Sequence, residues 1–283
     1  MSGAASYRPI LRELRNLAAP SWWVRPPGGP RKVLGLVSVL VHNVWLRCSE
    51  PMRRRLGGTA RVSCPVCGFE GHAFLVGLRS NWRVRPGTKC PQCHSRQRHR
   101  FLRLLLADRY GIVEWRGPLL HFSPRGCLPR FCLPADGIQY VGADLDPSGA
   151  DLCLDITALP FADGSVPHII CSHVLEHVPD HLSALAELRR VLSPGGIGFI
   201  AVPLFGETTT EFGRADPQLH DHVRAYGRDF GELLRQYFHV TAHEVSAEYD
   251  QSAVERYGLL PGEVVYACRH KPLEEACTSG AQG

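Results

Sequence analysis

Hydrophobic positions along this chain fall into short runs, each closed by polar or turn-forming residues. Pro118–Phe122, Ile138–Ala143, Leu152–Leu154, Val166–Cys171 and Ile197–Val202 are mostly apolar, the pattern of strands covered on both faces in a parallel sheet. The first stops at Ser123-Pro124-Arg125-Gly126, and the second and third end on Asp144 and Asp155. The fourth opens into Ser172-His173-Val174-Leu175-Glu176-His177. Between the last two runs, Pro179–Leu192 spaces Leu182, Leu185, Leu188, Val191 and Leu192 as one helical face, which Ser193-Pro194-Gly195-Gly196 halts. Ligands of parallel sheets sit at the carboxyl ends of the strands, where Asp144, Asp155 and Ser172-His173 stand.

The flanking segments are patterned more weakly. Val33–Leu46 is an apolar run of about fourteen residues that contains His42 and Asn43. A membrane span needs about twenty, so the run predicts a packed or interfacial helix. Ile10, Leu11, Leu14 and Leu17 fit one stripe of a short helix, and Pro20–Pro30 reads as a Pro/Gly-rich linker holding Trp22 and Trp23. Such a Trp pair beside basic residues either covers the domain surface or anchors at a membrane interface. Membrane-surface contact through residues 20–47 is carried as one partner reading. Leu102, Leu105 and Leu106 give Phe101–Tyr110 a helical face. Gly206–His222 reads as a long polar loop, Phe230–Phe238 as a short helix, and Val240–Ala247 and Val264–Arg269 as two final strands. Leu273–Gly283 reads as a disordered tail.

Composition narrows the class. Hydrophobic residues make up 44% and charged residues 21% of 283 positions, as in ordinary soluble domains. The net charge of +5 is mild and concentrated in Arg8–Arg109. The N-terminus lacks the charged-then-apolar order of a cleavable signal, so eleven cysteines point to a reducing, cytoplasmic setting with thiols or metal in place of disulfides. Two Cys-x-x-Cys knuckles, Cys64-Pro-Val-Cys67-Gly68 and Cys90-Pro-Gln-Cys93-His94, stand 22 residues apart. Four thiolates at that spacing close a tetrahedral zinc site with no open position. The alternative is a pair of redox-active dithiols or free thiols. The segment is similar to a zinc ribbon, with Ala73, Leu75, Leu78, Trp82 and Val84 suited to short strands. Ser95–Arg100 that follows is either a phosphate or anion grip or the solvated start of a helix.

Three blocks carry a family resemblance. Asp155–Ser165, Ile169–Asp180 and Leu188–Gly196, in this order and spacing, closely resemble class I S-adenosylmethionine-dependent methyltransferases of the type 11-like group. The resemblance covers roughly residues 118–270. It implies a Rossmann-like α/β fold, with a mostly parallel sheet and an antiparallel last strand. It implies S-adenosylmethionine as cofactor, Asp144 on the ribose hydroxyls, and Asp155 on the adenine amino group with Ile156 beside the ring. Phe122, Ser123, Gly126, Leu145, Ser172 and His173 complete the implied cofactor-binding set. Three features depart from the family pattern. The first loop, normally acid-x-Gly-x-Gly-x-Gly, has one glycine here. The Asp144–Asp155 connection is too short for a crossover helix. Pro167 stands where an acid is common before the fourth strand.

The expected organisation is a helical and linker extension over 1–60, the zinc ribbon over 61–100, the methyltransferase domain over 101–272 and the tail over 273–283. Methyl transfer from a sulfonium needs alignment and, for some acceptors, one base. His173 and His222 are the candidates for that base, with His220 in reach, whereas Glu176 and His177 read as shaping the wall. The leading reading is methyl transfer to an oxygen or nitrogen of a small-molecule acceptor. A zinc-ribbon RNA methyltransferase and a non-catalytic zinc-bearing interaction protein are the alternatives.

Overall fold

The computed structural model describes residues 29–55, 59–78, 84–124, 137–146, 148–216 and 221–271. Expectations for Ile10–Leu17, Trp22, Trp23, Trp82, Gly126, His220 and the C-terminal tail lie outside the described residues. The chain divides into two compact units, Met1–Ser63 with Phe69–Gln92 and Cys64–Gly68 with Cys93–Gly283.

In the first unit, helix α1 spans Gly29–Arg55, well beyond the apolar run that announces it. Strands β1 (Val62–Ser63) and β2 (Glu70–Gly71) pair, as do β3 (Leu75–Leu78) and β4 (Val84–Lys89). Asn43, the residue that argues against a membrane span, is buried on α1 and acts toward β3 as a strand would. Its Oδ1 accepts from Val76 N at 2.9 Å and its Nδ2 donates to Val76 O at 3.1 Å. The opposite side of α1 exposes Leu34, Val37, Val41, Trp45 and Met52. Among the described residues no helix is long and apolar enough to cross a membrane.

The second unit is a three-layer α/β fold. Its seven-stranded sheet runs β12-β13-β9-β8-β5-β6-β7, formed by β5 (Gly117–Phe122), β6 (Ile138–Asp144), β7 (Leu152–Cys153), β8 (Val166–Ser172), β9 (Leu192–Ala201), β12 (Phe238–Glu244) and β13 (Val264–His270). Pairings are parallel from β7 to β9, and β13 is antiparallel to both of its neighbours. This is the Rossmann-like methyltransferase arrangement that the resemblance implies. Helix α2 (Gln97–Asp108) buries Phe101, Leu102, Leu105 and Leu106 on one face of the sheet with Ile170, Phe199 and Val265. Helices α3 (His181–Val191) and α4 (Phe230–Tyr237) cover the other with Leu185, Leu188, Phe230 and Leu234. Each such side chain contributes about 1.5–3 kcal/mol of burial. Asp180 caps α3 by accepting from Ser183 N at 3.0 Å.

Several boundaries differ from the sequence pattern. Strand β9 starts at Leu192 and takes in the Ser-Pro-Gly-Gly stop. A side chain at Gly196 would lie 2.7 Å from the Pro167 carbonyl, so glycine lets the two strands close there. Gly206–His222 is not a loop throughout, because β10 (Thr210–Asp216) and β11 (His222–Ala225) pair as an antiparallel hairpin with a bulge. Helices α5 (Val245–Glu248) and α6 (Gln251–Tyr257) follow β12, whose end lies three residues before the expected one.

Candidate functional site

The carboxyl edge of the sheet brings the anticipated groups together. Ser123 follows β5 with φ +50, and its N–H donates to Ala143 O at 2.7 Å. The first loop thus makes its turn on a serine in the left-handed region, ahead of residues outside the description. Phe122 is 2% exposed and Ile156 4%, so both shape the floor from the core, while Leu145 is 67% exposed. Asp144 ends β6 partly exposed, and its Oδ1 accepts from Asp146 N at 3.2 Å. Among the described residues its Oδ2 takes no hydrogen bond. The short β6–β7 connection is stapled by Asp151, whose Oδ2 accepts from Gly142 N at 2.7 Å and whose own N–H donates to Gly142 O at 2.8 Å. That clasp explains how two parallel strands manage without a crossover helix.

Asp155 is held in one orientation. Its Oδ1 accepts from Thr157 N at 2.9 Å and from Thr157 Oγ1 at 2.7 Å. These bonds, the backbone one first, draw its pKa below the ordinary carboxylate value. The carboxylate is therefore ionised and aimed before any ligand arrives.

His173 stands just past β8 with φ +57, and its N–H donates to Ala201 O at 2.8 Å. A histidine in the left-handed region is a strained choice that the surrounding structure enforces. Its Nδ1 lies 3.4 Å from Glu176 Oε1 and its Nε2 3.4 Å from Glu263 Oε1. Burial disfavours its charged form, yet the two carboxylates outweigh burial and raise its pKa. Glu263 carries no sequence signal: it sits in the turn before β13, and only the antiparallel return of that strand places it here. On β5, His121 is the opposite case. It is buried against Tyr140, and burial pushes its pKa down to about 4.

His222 is 8% exposed on β11. Its ring lies 4.7 Å from the His177 ring at 86°. Glu176, 1% exposed, completes a group in which one ligand atom from each residue lies within 4.8 Å of the others. Arg224, two residues along β11, has a structural task. It is buried, and its guanidinium donates to the carbonyls of Leu175, Val178 and Pro179 and to Glu211. It fastens the hairpin to the turn that carries Glu176 and His177.

Arg100 from the basic cluster is also committed inward. It is fully buried and donates to the carbonyls of Ser95, Tyr257 and Gly258.

The sulfurs of Cys64, Cys67, Cys90 and Cys93 lie within 4.8 Å of one another. Cys64 Sγ and Cys93 Sγ are 3.7 Å apart. A disulfide needs about 2.05 Å, whereas two corners of a tetrahedron with bonds of about 2.3 Å to zinc stand about 3.8 Å apart. The donor set and spacing therefore fit zinc. Ser95 Oγ lies 3.2 Å from both Cys64 Sγ and Cys93 Sγ, and Gln92 N donates to Cys90 Sγ at 3.4 Å. Gly68 at φ +70 and His94 at φ +61 end the two knuckles with the same left-handed turn.

A family model described as a methyltransferase domain matches residues 127–200. An uncharacterized methyltransferase of Mycobacterium sp. strain KMS is 32% identical over 130 residues, covering 38% of this chain and 50% of that protein. One from strain JLS is 38% identical over a stretch of the same length and coverage. The chain thus spans half the length of these relatives. Among solved structures, Burkholderia thailandensis 1,6-didemethyltoxoflavin-N1-methyltransferase, with 1,6-didemethyltoxoflavin and S-adenosylhomocysteine bound, aligns at TM-score 0.44 and 18% identity. That alignment covers 60% of this chain and 76% of the other.

Proposed function

We propose that this chain, which matches a methyltransferase domain over residues 127–200, transfers a methyl group from S-adenosylmethionine to an oxygen or nitrogen of a small-molecule acceptor. The observation that carries the reading is the pair of carboxylates at the β6 and β7 ends. Asp144 keeps an oxygen uncommitted among the described residues, and Asp155 is held ionised by Thr157. Both are positions at which the resembled family grips the ribose hydroxyls and the adenine amino group. Bound there, S-adenosylmethionine would supply a methyl group already activated by its sulfonium.

The chain's own residues then have separable tasks. Ser123, Leu145, Ile156 and Ser172 border the cofactor space that Asp144 and Asp155 anchor. His173 or His222 would receive a proton from the acceptor, His173 once it has given up the one its carboxylates retain. The inward commitment of Arg100 subtracts from the basic cluster that an RNA-directed enzyme would offer to phosphates, which favours a small acceptor. The four cysteines would hold a structural zinc, with Ser95 and the Gln92 amide supporting the sulfurs.

Two measurements test this reading. Calorimetry with S-adenosylhomocysteine should show binding that Asp144→Ala weakens. Incubation with labelled S-adenosylmethionine and fractionated extract of the source cells should label a small-molecule fraction. No binding in calorimetry, or label confined to RNA, overturns it.

A further inference from the structure

We propose that Glu176, His177 and His222 form a binding site for a divalent first-row transition-metal ion, separate from the cysteine cluster. The donor set is one carboxylate and two imidazoles, the set that suits zinc, iron(II), manganese or cobalt and that leaves coordination positions open. One ligand atom from each residue lies within 4.8 Å of the other two, and bonds of about 2.1 Å to a bound ion would draw them closer. His177, being exposed, has room to make that adjustment.

A second observation points the same way. Glu176 is 1% exposed, and its Oε1 faces His173. Among the described residues its Oε2 is buried with no hydrogen-bond partner. A carboxylate oxygen buried without a partner costs a few kcal/mol, and a cation removes that cost. His177 Nδ1 stands 3.4 Å from the Asp221 carbonyl. Donating there fixes the tautomer and leaves Nε2 as the coordinating nitrogen, the usual outer arrangement of a metal-bound histidine.

The scaffold also holds the three together. Arg224 donates to Leu175 O and Pro179 O on either side of the Glu176-His177 turn, from the strand that carries His222. The ion would lie beside His173, and with His222 engaged as a ligand His173 is the histidine left to take the acceptor's proton. The ion's open positions suit an oxygen ligand such as a hydroxyl or carboxylate, whose acidity the ion would raise. That last role rests on the methyltransferase reading, whereas the site does not.

Cobalt(II) titration of the purified full-length chain tests the site. The cysteine cluster gives intense thiolate charge-transfer bands, and a nitrogen–oxygen site gives only weak visible bands. The expected result is one such weak-band equivalent in the parent protein. His177→Ala and Glu176→Gln should lose it, by more than the roughly 10- to 100-fold that outer-shell changes cost. His177 is exposed, so its variant is expected to keep the parent circular dichroism. Weak-band uptake that is absent from the parent, or unchanged in a folded His177→Ala, overturns the proposal. S-adenosylhomocysteine affinity measured on the same samples separates the outcomes. Cobalt uptake without cofactor binding would sink the methyltransferase reading alone, and cofactor binding without uptake would sink the metal site alone.

Discussion

Arg224 Nη1 donates to the Leu175 carbonyl at 2.8 Å. This bond joins the β10–β11 hairpin to the turn after β8, and Val178 and Pro179 add their carbonyls to the same guanidinium. Removing it leaves carbonyl groups without donors in a buried place. Hydrogen bonds to a charged group are worth roughly 1.5–3 kcal/mol each and do not sum, so Arg224→Ala should cost about 2–4 kcal/mol. Arg224→Lys should rescue little, because an ammonium cannot span three carbonyls as a planar fork does. Urea unfolding of the three proteins checks this. A midpoint in Arg224→Lys equal to the parent's would show that charge alone, without the fork, holds the hairpin.

Much of the sheet was legible because its strands are buried on both faces and announce themselves as apolar runs. All five runs became strands, and the helix between the last two formed on Leu185, Leu188 and Val191, with Leu182 left exposed and Leu192 passed to the next strand. The hairpin was not legible, since His222 and Arg224 are polar residues buried by partners far away in sequence. Asn43 is similar: its pairing with Val76 depends on a strand 33 residues on. Helix α6 carried signals that went unread, namely the Asp250 side chain accepting from Ala253 N and Gly258 at φ +57. One buried residue, Val254, is too little to set a period. Asp144, Asp155, His173 and His222 were singled out as candidates from motif and position. Glu263 was missed because nothing local marks it.

His121 and His173 should give stability opposite dependences on pH. Unfolded histidines titrate near about 6.5. Folded His121 is lowered to about 4, so between those values the unfolded chain binds more protons. Stability from this site is present above about 6.5 and lost as pH falls toward 4, on the order of 3 kcal/mol in all. Folded His173 is raised, so its contribution is present below about 6.5 and lost as pH rises through the folded value. Glu263→Gln removes one of the raising carboxylates and should lower the His173 value. Histidine ring resonances followed against pH check both signs, and an unshifted His173 in Glu263→Gln would remove Glu263 from the pair.

Cysteine-bound zinc should be essential to the knuckles. With Cys64 and Cys93 sulfurs at 3.7 Å, a disulfide cannot be what holds them together, because its sulfurs would stand about 2.05 Å apart. Cys64→Ala and Cys93→Ala should lose thiolate-bound metal and melt the surrounding segment, since ligand binding in such modules supplies folding energy. Ser95→Ala should retain the metal and bind it more weakly, by roughly 10- to 100-fold. Metal analysis paired with a chelator competition measures all three. Well-folded parent protein free of zinc would end this assignment.

Thr157 should govern cofactor affinity without touching the cofactor. Asp155 sits on an exposed loop after a strand of two residues, where a free carboxylate would rotate among its staggered positions. Thr157 removes that freedom with two bonds to a single oxygen, at 2.9 and 2.7 Å. The other oxygen is thereby aimed. Thr157→Val keeps the shape and the backbone bond but deletes the hydroxyl bond, so affinity for S-adenosylhomocysteine should fall by a few-fold. Asp155→Ala removes the acceptor itself and should cost more. Asp144→Ala should cost most, about 10- to 100-fold, the scale of losing a hydrogen bond to a charged group. The order Asp144→Ala, Asp155→Ala, Thr157→Val is the content of the prediction, and calorimetry reads it directly. A Thr157→Val variant weaker than Asp155→Ala would mean that the threonine itself meets the ligand and that Asp155 serves only to hold it.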